Sequence, residues 1–302
     1  MIFKEIIKFG YLFLLLLLLA GCDKFEGDQT IPSYITIDSI GFVTDDVLQG
    51  TDDQNIVDVW VYVDDDLIGG FELPATIPVL VEGIHKLDIR GGILLNGISD
   101  TRAPNPCWQP IIISEFNFIP DSIRKVSGTT YYYDNAEFVW MENFEDASLA
   151  INSSANSDTG IVRTQPANAP EAYLDEFSHF SGVSYLDKDH PYLQLVSDNG
   201  NGEGFTFDRG DFIFLELTYK NNIPLVAGVY IKLSDNTIEE RSYVVISPSE
   251  EWNKIYINFT PIVNETVDGQ TYMVYIEAQL PVGVNQGNVL LDNIKLVTRP
   301  NL

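Results

Sequence analysis

Downstream of residue 31 nearly the whole chain reads as short apolar runs rich in Val, Ile, Tyr and Phe, broken by Gly, Asn, Asp and Pro. Tyr34-Ile35-Thr36-Ile37 and Val57-Asp58-Val59-Trp60-Val61-Tyr62-Val63 each put every second side chain on one face, the pattern of a half-buried strand. Asp64-Asp65-Asp66 closes the second run as a turn, and Leu67-Ile68-Gly69-Gly70-Phe71 reads as the return strand of a hairpin. Pro74 and Pro78 lack the N–H that a central strand needs. Residues 79–89 then read as strand, glycine turn at Gly83 and strand. Ile93-Leu94-Leu95-Asn96-Gly97-Ile98 is another strand-like run, followed by an extended loop through Ala103-Pro104-Asn105-Pro106-Cys107-Trp108. Residues 212–220, 226–233, 242–246, 254–259 and 272–278 are five further runs at the spacing of a sandwich. The one helical pattern is at 170–180, where Pro170 opens a turn bearing Tyr173, Leu174 and Phe177. The predicted class is all-β. A small β-sandwich is expected over 31–120 and a larger jelly-roll sandwich over 136–300. The polar stretch 121–135 reads as a linker between them or as a last strand leading out, and its Tyr131-Tyr132-Tyr133 either stacks on sugars or packs between the domains.

The start of the chain is of another kind. Lys4 and Lys8 precede a leucine-rich apolar run and then Ala20-Gly21-Cys22, the order of a basic region, an apolar region and a small-residue cleavage site. The run is shorter than the roughly 20 residues of a spanning helix. Leu19-Ala20-Gly21-Cys22 resembles the lipobox of bacterial lipoproteins, which implies cleavage of residues 1–21 and diacylation of Cys22. Several acyl chains on one residue hold a bilayer durably, since each buried methylene adds about 0.8 kcal/mol. Residues 22–30, with Asp23, Lys24, Glu26 and Asp28, resemble the acidic export tether of Bacteroidetes surface lipoproteins. The expected location is therefore the outer membrane, lipid-anchored at the cell surface.

Charge and cysteine content narrow the partners. A net charge of −27, from 44 acidic and 17 basic residues, repels nucleic acid and bare anionic headgroups. The only two cysteines are Cys22 and Cys107. With Cys22 acylated, Cys107 has no partner within the chain, and nothing near it in sequence lowers its pKa, so a buried inert thiol is expected.

Two resemblances cover the rest. Residues 61–89 resemble the PEGA family of small surface β-domains in their acidic turn, their Gly-and-Pro segment and Gly83-Ile84-His85 leading into a last strand. This implies an extracytoplasmic scaffold, with His85 bonded to a turn. The opening Phe138-Val139-Trp140-Met141-Glu142-Asn143-Phe144-Glu145 and the closing Leu291-Asp292-Asn293-Ile294 resemble carbohydrate-binding jelly rolls and galactose-binding-like sandwiches. The resemblance implies that the two ends lie side by side and hold a structural calcium through Glu142, Glu145 and Asp292, a set of hard oxygen ligands. It also implies glycan as ligand class, with Trp140, Tyr185 and Tyr192 as stacking residues.

Forty-four acids leave open the two opposed carboxylates of a glycosidase, but more specific catalytic signatures are not found. His85, His179 and His190 have no zinc spacing, and the sequence lacks a nucleophile elbow, a P-loop and a dinucleotide fingerprint. The reading is a non-enzymatic recognition lipoprotein. Its rival is an accessory subunit docked on an outer-membrane β-barrel protein and serving assembly, transport or secretion. A Cys22→Ala chain is expected to leave the detergent-rich phase of a Triton X-114 partition for the aqueous phase; its retention in the detergent-rich phase would refute the anchor.

Overall fold

Alternation in the first runs produces strands whose inward positions are all aliphatic or aromatic. The computed structural model describes residues 31–301; Cys22 and the leader lie outside them. The first ten strands are β1 (Ser33–Ile37), β2 (Gly41–Phe42), β3 (Asp58–Val63), β4 (Asp66–Glu72), β5 (Ala75–Val79), β6 (Gly83–Leu94), β7 (Arg102–Pro104), β8 (Ile111–Phe118), β9 (Ile123–Lys125) and β10 (Thr129–Thr130), with a short helix α1 (Asp46–Gln49). One sheet runs β4-β3-β6-β7, with β8 also paired to β6, and faces a three-stranded sheet β5-β1-β9. Ile35, Ile37, Ile77 and Val79 from the smaller sheet meet Val59, Val61, Val63, Leu87, Ile89, Phe116 and Phe118 from the larger one. The β3–β4 hairpin turns on Asp64 and Asp65 at φ 50° and 72°, a left-handed conformation that Asp tolerates better than most residues. His85 Nδ1 lies 2.6 Å from the Asp64 carboxylate, so this histidine is bonded to the turn, as expected.

Two expectations fail. The segment 121–135 is not a linker: β9 pairs with β1 and β10 with β2, both in parallel, so it completes the first domain. Its alternation was hidden because these strands are only three and two residues long. The helix expected at 170–180 is a series of turns. Asp175 accepts from the Phe177 and Ser178 amides, taking donors that a helix needs for its own carbonyls.

The second domain comprises β11 (Glu137–Glu142), β12 (Ile151–Ser153), β13 (Val162–Thr164), β14 (Ser181–Asp187), β15 (Tyr192–Ser197), β16 (Phe212–Asn221), β17 (Leu225–Leu233), β18 (Ile238–Ile246), β19 (Ser249–Asn258), helix α2 (Thr260–Glu265), β20 (Gly269–Gln279) and β21 (Gln286–Arg299). A six-stranded sheet in the order β13-β14-β21-β16-β19, with β11 also on β21, packs against a five-stranded sheet β12-β15-β20-β17-β18. Leu193, Leu195, Leu215, Leu217, Ala227, Val229, Ile257, Ile276, Leu291 and Leu296 fill the space between them. This is the jelly-roll sandwich expected from the sequence.

The first domain sits on the outer face of the six-stranded sheet. Phe42, Ile93, Cys107, Trp108 and Tyr132 form one cluster with Phe214, Tyr256 and Val297. Burial pushes the Cys107 thiol up, consistent with an inert residue. Polar contacts, buried or half-buried, cross the same boundary. Tyr132 donates to Glu216 (2.9 Å), Asn55 N–H to the Tyr256 hydroxyl (3.0 Å), Asn258 N–H to Asn96 (2.8 Å) and Lys295 Nζ to the Thr51 carbonyl (2.5 Å). Tyr132 thus packs between the domains.

Lys295 is 1 % exposed. Burial, reinforced by Lys254, lowers its pKa from 10.5 to about 7 against the pull of Glu216, Asp53 and Asp52. Between those values the unfolded chain binds a proton that the folded chain does not, so Lys295 makes stability rise with pH above about 7, by up to about 1.4 kcal/mol per pH unit. Below about 7 its contribution is constant. Urea unfolding of the wild-type chain is therefore expected to strengthen between pH 7 and 9 relative to Lys295→Met. Parallel pH profiles would refute this role.

Candidate functional site

The closing strand β21 changes partner halfway. It pairs with β14 through residues 286–291 and with β11 through residues 294–298 on the same edge. At the gap stand Asp292 and Asn293, the latter at φ 47°. The carboxylates expected to bind calcium gather around this gap, but the donors they meet belong to the protein. Asp292, 0 % exposed, accepts from the Ser178 hydroxyl at 2.5 Å and the Asn293 amide at 2.7 Å. Glu145 accepts from the His179 and Phe180 amides, and Glu142 from those of Phe144 and Ala150. Arg163 donates to the Phe144 and Glu145 carbonyls and lies over the Phe180 ring. Burial holds the Asp292 carboxyl well above its ordinary value, with Ser178 and Asn293 opposing; burial likewise raises Glu142. Among the described residues no three His, Cys, Asp or Glu side chains converge as cation ligands. These bonds tie loops 143–150 and 175–180 to the strand switch.

The three expected stacking residues part company. Trp140 is a core residue, 5 % exposed, and its indole N–H donates to the Ala150 carbonyl at 2.9 Å. This corrects its assignment to a ligand: the β-bulge between Phe138 and Trp140 turns the indole inward among Phe144, Ile151 and their neighbours. Tyr185 is 55 % exposed on β14, beside Asp187, Asn222 and Asn288 at a shallow cavity of about 420 Å³. Tyr192 is half-buried on β15, in the other sheet. Tyr185 and Tyr192 therefore serve no common site.

Tyr192 instead belongs to a constellation on the outer face of the five-stranded sheet. In β15, β20 and β17 the inward positions are Leu193 and Leu195, Val274, Ile276 and Ala278, and Ala227, Val229 and Ile231. The alternate positions carry Tyr192, Gln194, Tyr275, Glu277 and Tyr230 outward. Register places Gln194 opposite Glu277 and Gly228 opposite Tyr275. The Tyr192 hydroxyl donates to Glu277 at 2.6 Å, and the Gln194 amide donates to the same oxygen at 3.2 Å and to Glu240 at 3.4 Å. Tyr275 lies flat across Gly228, where a Cβ would stand 2.4 Å from its Cζ, and shares a 2.9 Å hydrogen bond with Ser242. The Tyr230 ring covers Tyr275 at 5.0 Å.

Burial and the carboxylates beside them raise the phenol pKa values of Tyr192 and Tyr230, and burial pushes Tyr275 up to about 12. All three stay neutral near pH 7 and keep an O–H to donate. The face thus combines two partly exposed rings with two carboxylates that the buried Gln194 amide holds in place, an arrangement suited to holding a ring bearing hydroxyls. Sequence reasoning found only Tyr192. The alternations Tyr192-Leu193-Gln194-Leu195 and Tyr275-Ile276-Glu277-Ala278 carry the signal for the rest, but their adjacency depends on a pairing across some 80 residues.

No protein-family model matches the chain, and no curated protein does. Solved structures similar to the chain include carbohydrate-binding modules. The CBM22-1 xylan-binding domain of Paenibacillus barcinonensis Xyn10C aligns at 8 % identity and a TM-score of 0.39, over 56 % of this chain and 99 % of that one. The family 11 carbohydrate-binding module of the cellulosomal cellulase Lic26A-Cel5E of Clostridium thermocellum aligns at 16 % identity and a TM-score of 0.33, over 52 % of this chain and 92 % of that one. A CBM28 module specific for non-crystalline cellulose aligns at 13 % and 0.34, over 51 % of this chain and 91 % of that one.

Proposed function

We propose that this chain is a lipid-anchored, non-catalytic recognition module that binds a neutral saccharide on the outer face of its five-stranded sheet. The observation that carries the reading is the cluster of Tyr192, Tyr230, Gln194, Glu240 and Glu277. Flat aromatic rings offer apolar area to the C–H face of a sugar, and adjacent carboxylates and amides take its hydroxyls. A neutral ligand follows from the charge: at −27 overall, with Glu240 and Glu277 in the site, an anionic glycan would be repelled. The anchor at Cys22 and display at the cell surface of the outer membrane belong to the same proposal and rest on the sequence of the leader. Calorimetric titration of the detergent-solubilised full chain with neutral hexasaccharides of xylose, glucose and mannose tests it. Tyr192→Ala and Glu277→Ala are each expected to weaken binding about tenfold, or by roughly 1.4 kcal/mol. Gly228→Ala, which drives a methyl into Tyr275 and the Arg241 carbonyl, is expected to cost about 1–3 kcal/mol of stability and to weaken the same titration. Isotherms indifferent to Tyr192 and Glu277 would sink the reading.

A further inference from the structure

The first domain carries a second arrangement of this kind on the outer face of its larger sheet. Asp58, Trp60 and Tyr62 are the outward positions of β3, alternating with Val59, Val61 and Val63 in the core. Gly70 of β4 lies opposite Trp60, and Gly92 of β6 lies opposite Asp58. A Cβ on Gly70 would stand 3.0 Å from indole Cε2, and one on Gly92 would stand 2.8 Å from Asp58 Cβ and 3.0 Å from indole Cδ1. The two glycines therefore let the indole lie down on the sheet, with one face on the backbone and the other toward a cavity of about 480 Å³. That cavity is lined by Asp58, Trp60, Gly70, Glu72, Asp100 and Arg102.

The polar groups there are incompletely matched. Arg102 pairs with one oxygen of Asp58, donates through Nε to the Ser99 carbonyl at 3.0 Å and reaches Glu72 at 3.5 Å. Asp58 is 2 % exposed, yet its Oδ2 has no partner among the described residues, and neither does the indole N–H of Trp60. A buried carboxylate oxygen and a buried N–H without partners are each costly. Glu72 and Asp100, both exposed at the rim, add acceptors.

We propose that this cavity is a saccharide site separate from the jelly-roll face, with Trp60 as its platform. The ligand class follows from the mixture of groups. Free acceptors on Asp58, Glu72 and Asp100 stand beside donors on Trp60 and Arg102, and the hydroxyl is the group that both donates and accepts. An ammonium ligand would satisfy the carboxylates and the ring face but would leave the indole N–H without an acceptor. Three carboxylates against one guanidinium disfavour an anion. Arg102, held from below by Asp58, sets the orientation of the sugar, and Glu72 and Asp100 take hydroxyls at the rim. Engaging the sealed oxygen of Asp58 requires Arg102, one-third exposed, to shift as the ligand seats.

The test uses the full chain labelled with 5-fluorotryptophan, whose four tryptophans give four fluorine resonances assigned by Trp→Phe substitution. Titration with the neutral hexasaccharides of xylose, glucose and mannose is expected to shift the Trp60 resonance saturably. Glu72→Ala and Asp100→Ala, both at exposed positions, are expected to weaken that titration on the order of tenfold without lowering the melting temperature. Tyr192→Ala is expected to leave it unchanged, which separates this site from the jelly-roll reading. The proposal is overturned if none of the hexasaccharides moves Trp60. It is equally overturned if tetramethylammonium moves Trp60 and the sugars do not, or if the Trp60 shift disappears with Tyr192→Ala.

Discussion

Everything in this molecule is arranged around one covered sheet face. A two-sheet sandwich has two outer faces, and here the first domain occupies that of the six-stranded sheet. Phe214, Tyr256 and Val297 are packed under Phe42, Trp108 and Tyr132, where most such faces carry polar residues toward water. Because that surface is apolar, the domains bury it together. Its polar members, Glu216, Lys254 and Lys295, are buried too, and at least Glu216 and Lys295 bond to the other domain. Breaking such contacts one at a time leaves charge or dipole without a partner at low dielectric.

That constraint decides which surface stays open. With β16, β19 and β21 covered on one face, the jelly roll presents the opposite sheet, and its outward rows carry tyrosines, carboxylates and an amide. The first domain in turn uses one part of its surface for docking and leaves Asp58, Trp60 and Tyr62 on the outer face of β3. Both faces use the same local device: an aromatic ring laid across a glycine of the neighbouring strand, Tyr275 on Gly228 and Trp60 on Gly70 and Gly92. A side chain in place of the glycine would lift the ring off the sheet.

The terminal motifs of the jelly roll illustrate a different use of carboxylates. Glu142, Glu145 and Asp292 gather where β21 exchanges β14 for β11, and there they hold backbone amides and a hydroxyl. Strand exchange leaves amides without ladder partners, and an acid side chain with two oxygens satisfies two at once. Resemblance of the motif to calcium-binding jelly rolls pointed to the place where the two ends of the domain meet.

The sequence by itself determined the all-β class, the jelly-roll sandwich, the hairpin at Asp64 and Asp65, the bonding of His85 to that turn and the inert burial of Cys107. Each follows from local alternation, from turn chemistry or from a motif contained in a short stretch. The inward turn of Trp140 depends on a bulge, and a shift of one residue sends a side chain to the other face. The membership of 121–135 in the first domain, the closure of one sheet face and the grouping of Tyr192 with Glu277 were decided only by tertiary structure. They depend on which strands, far apart in sequence, become neighbours and in what register, and period-two alternation carries no information about either.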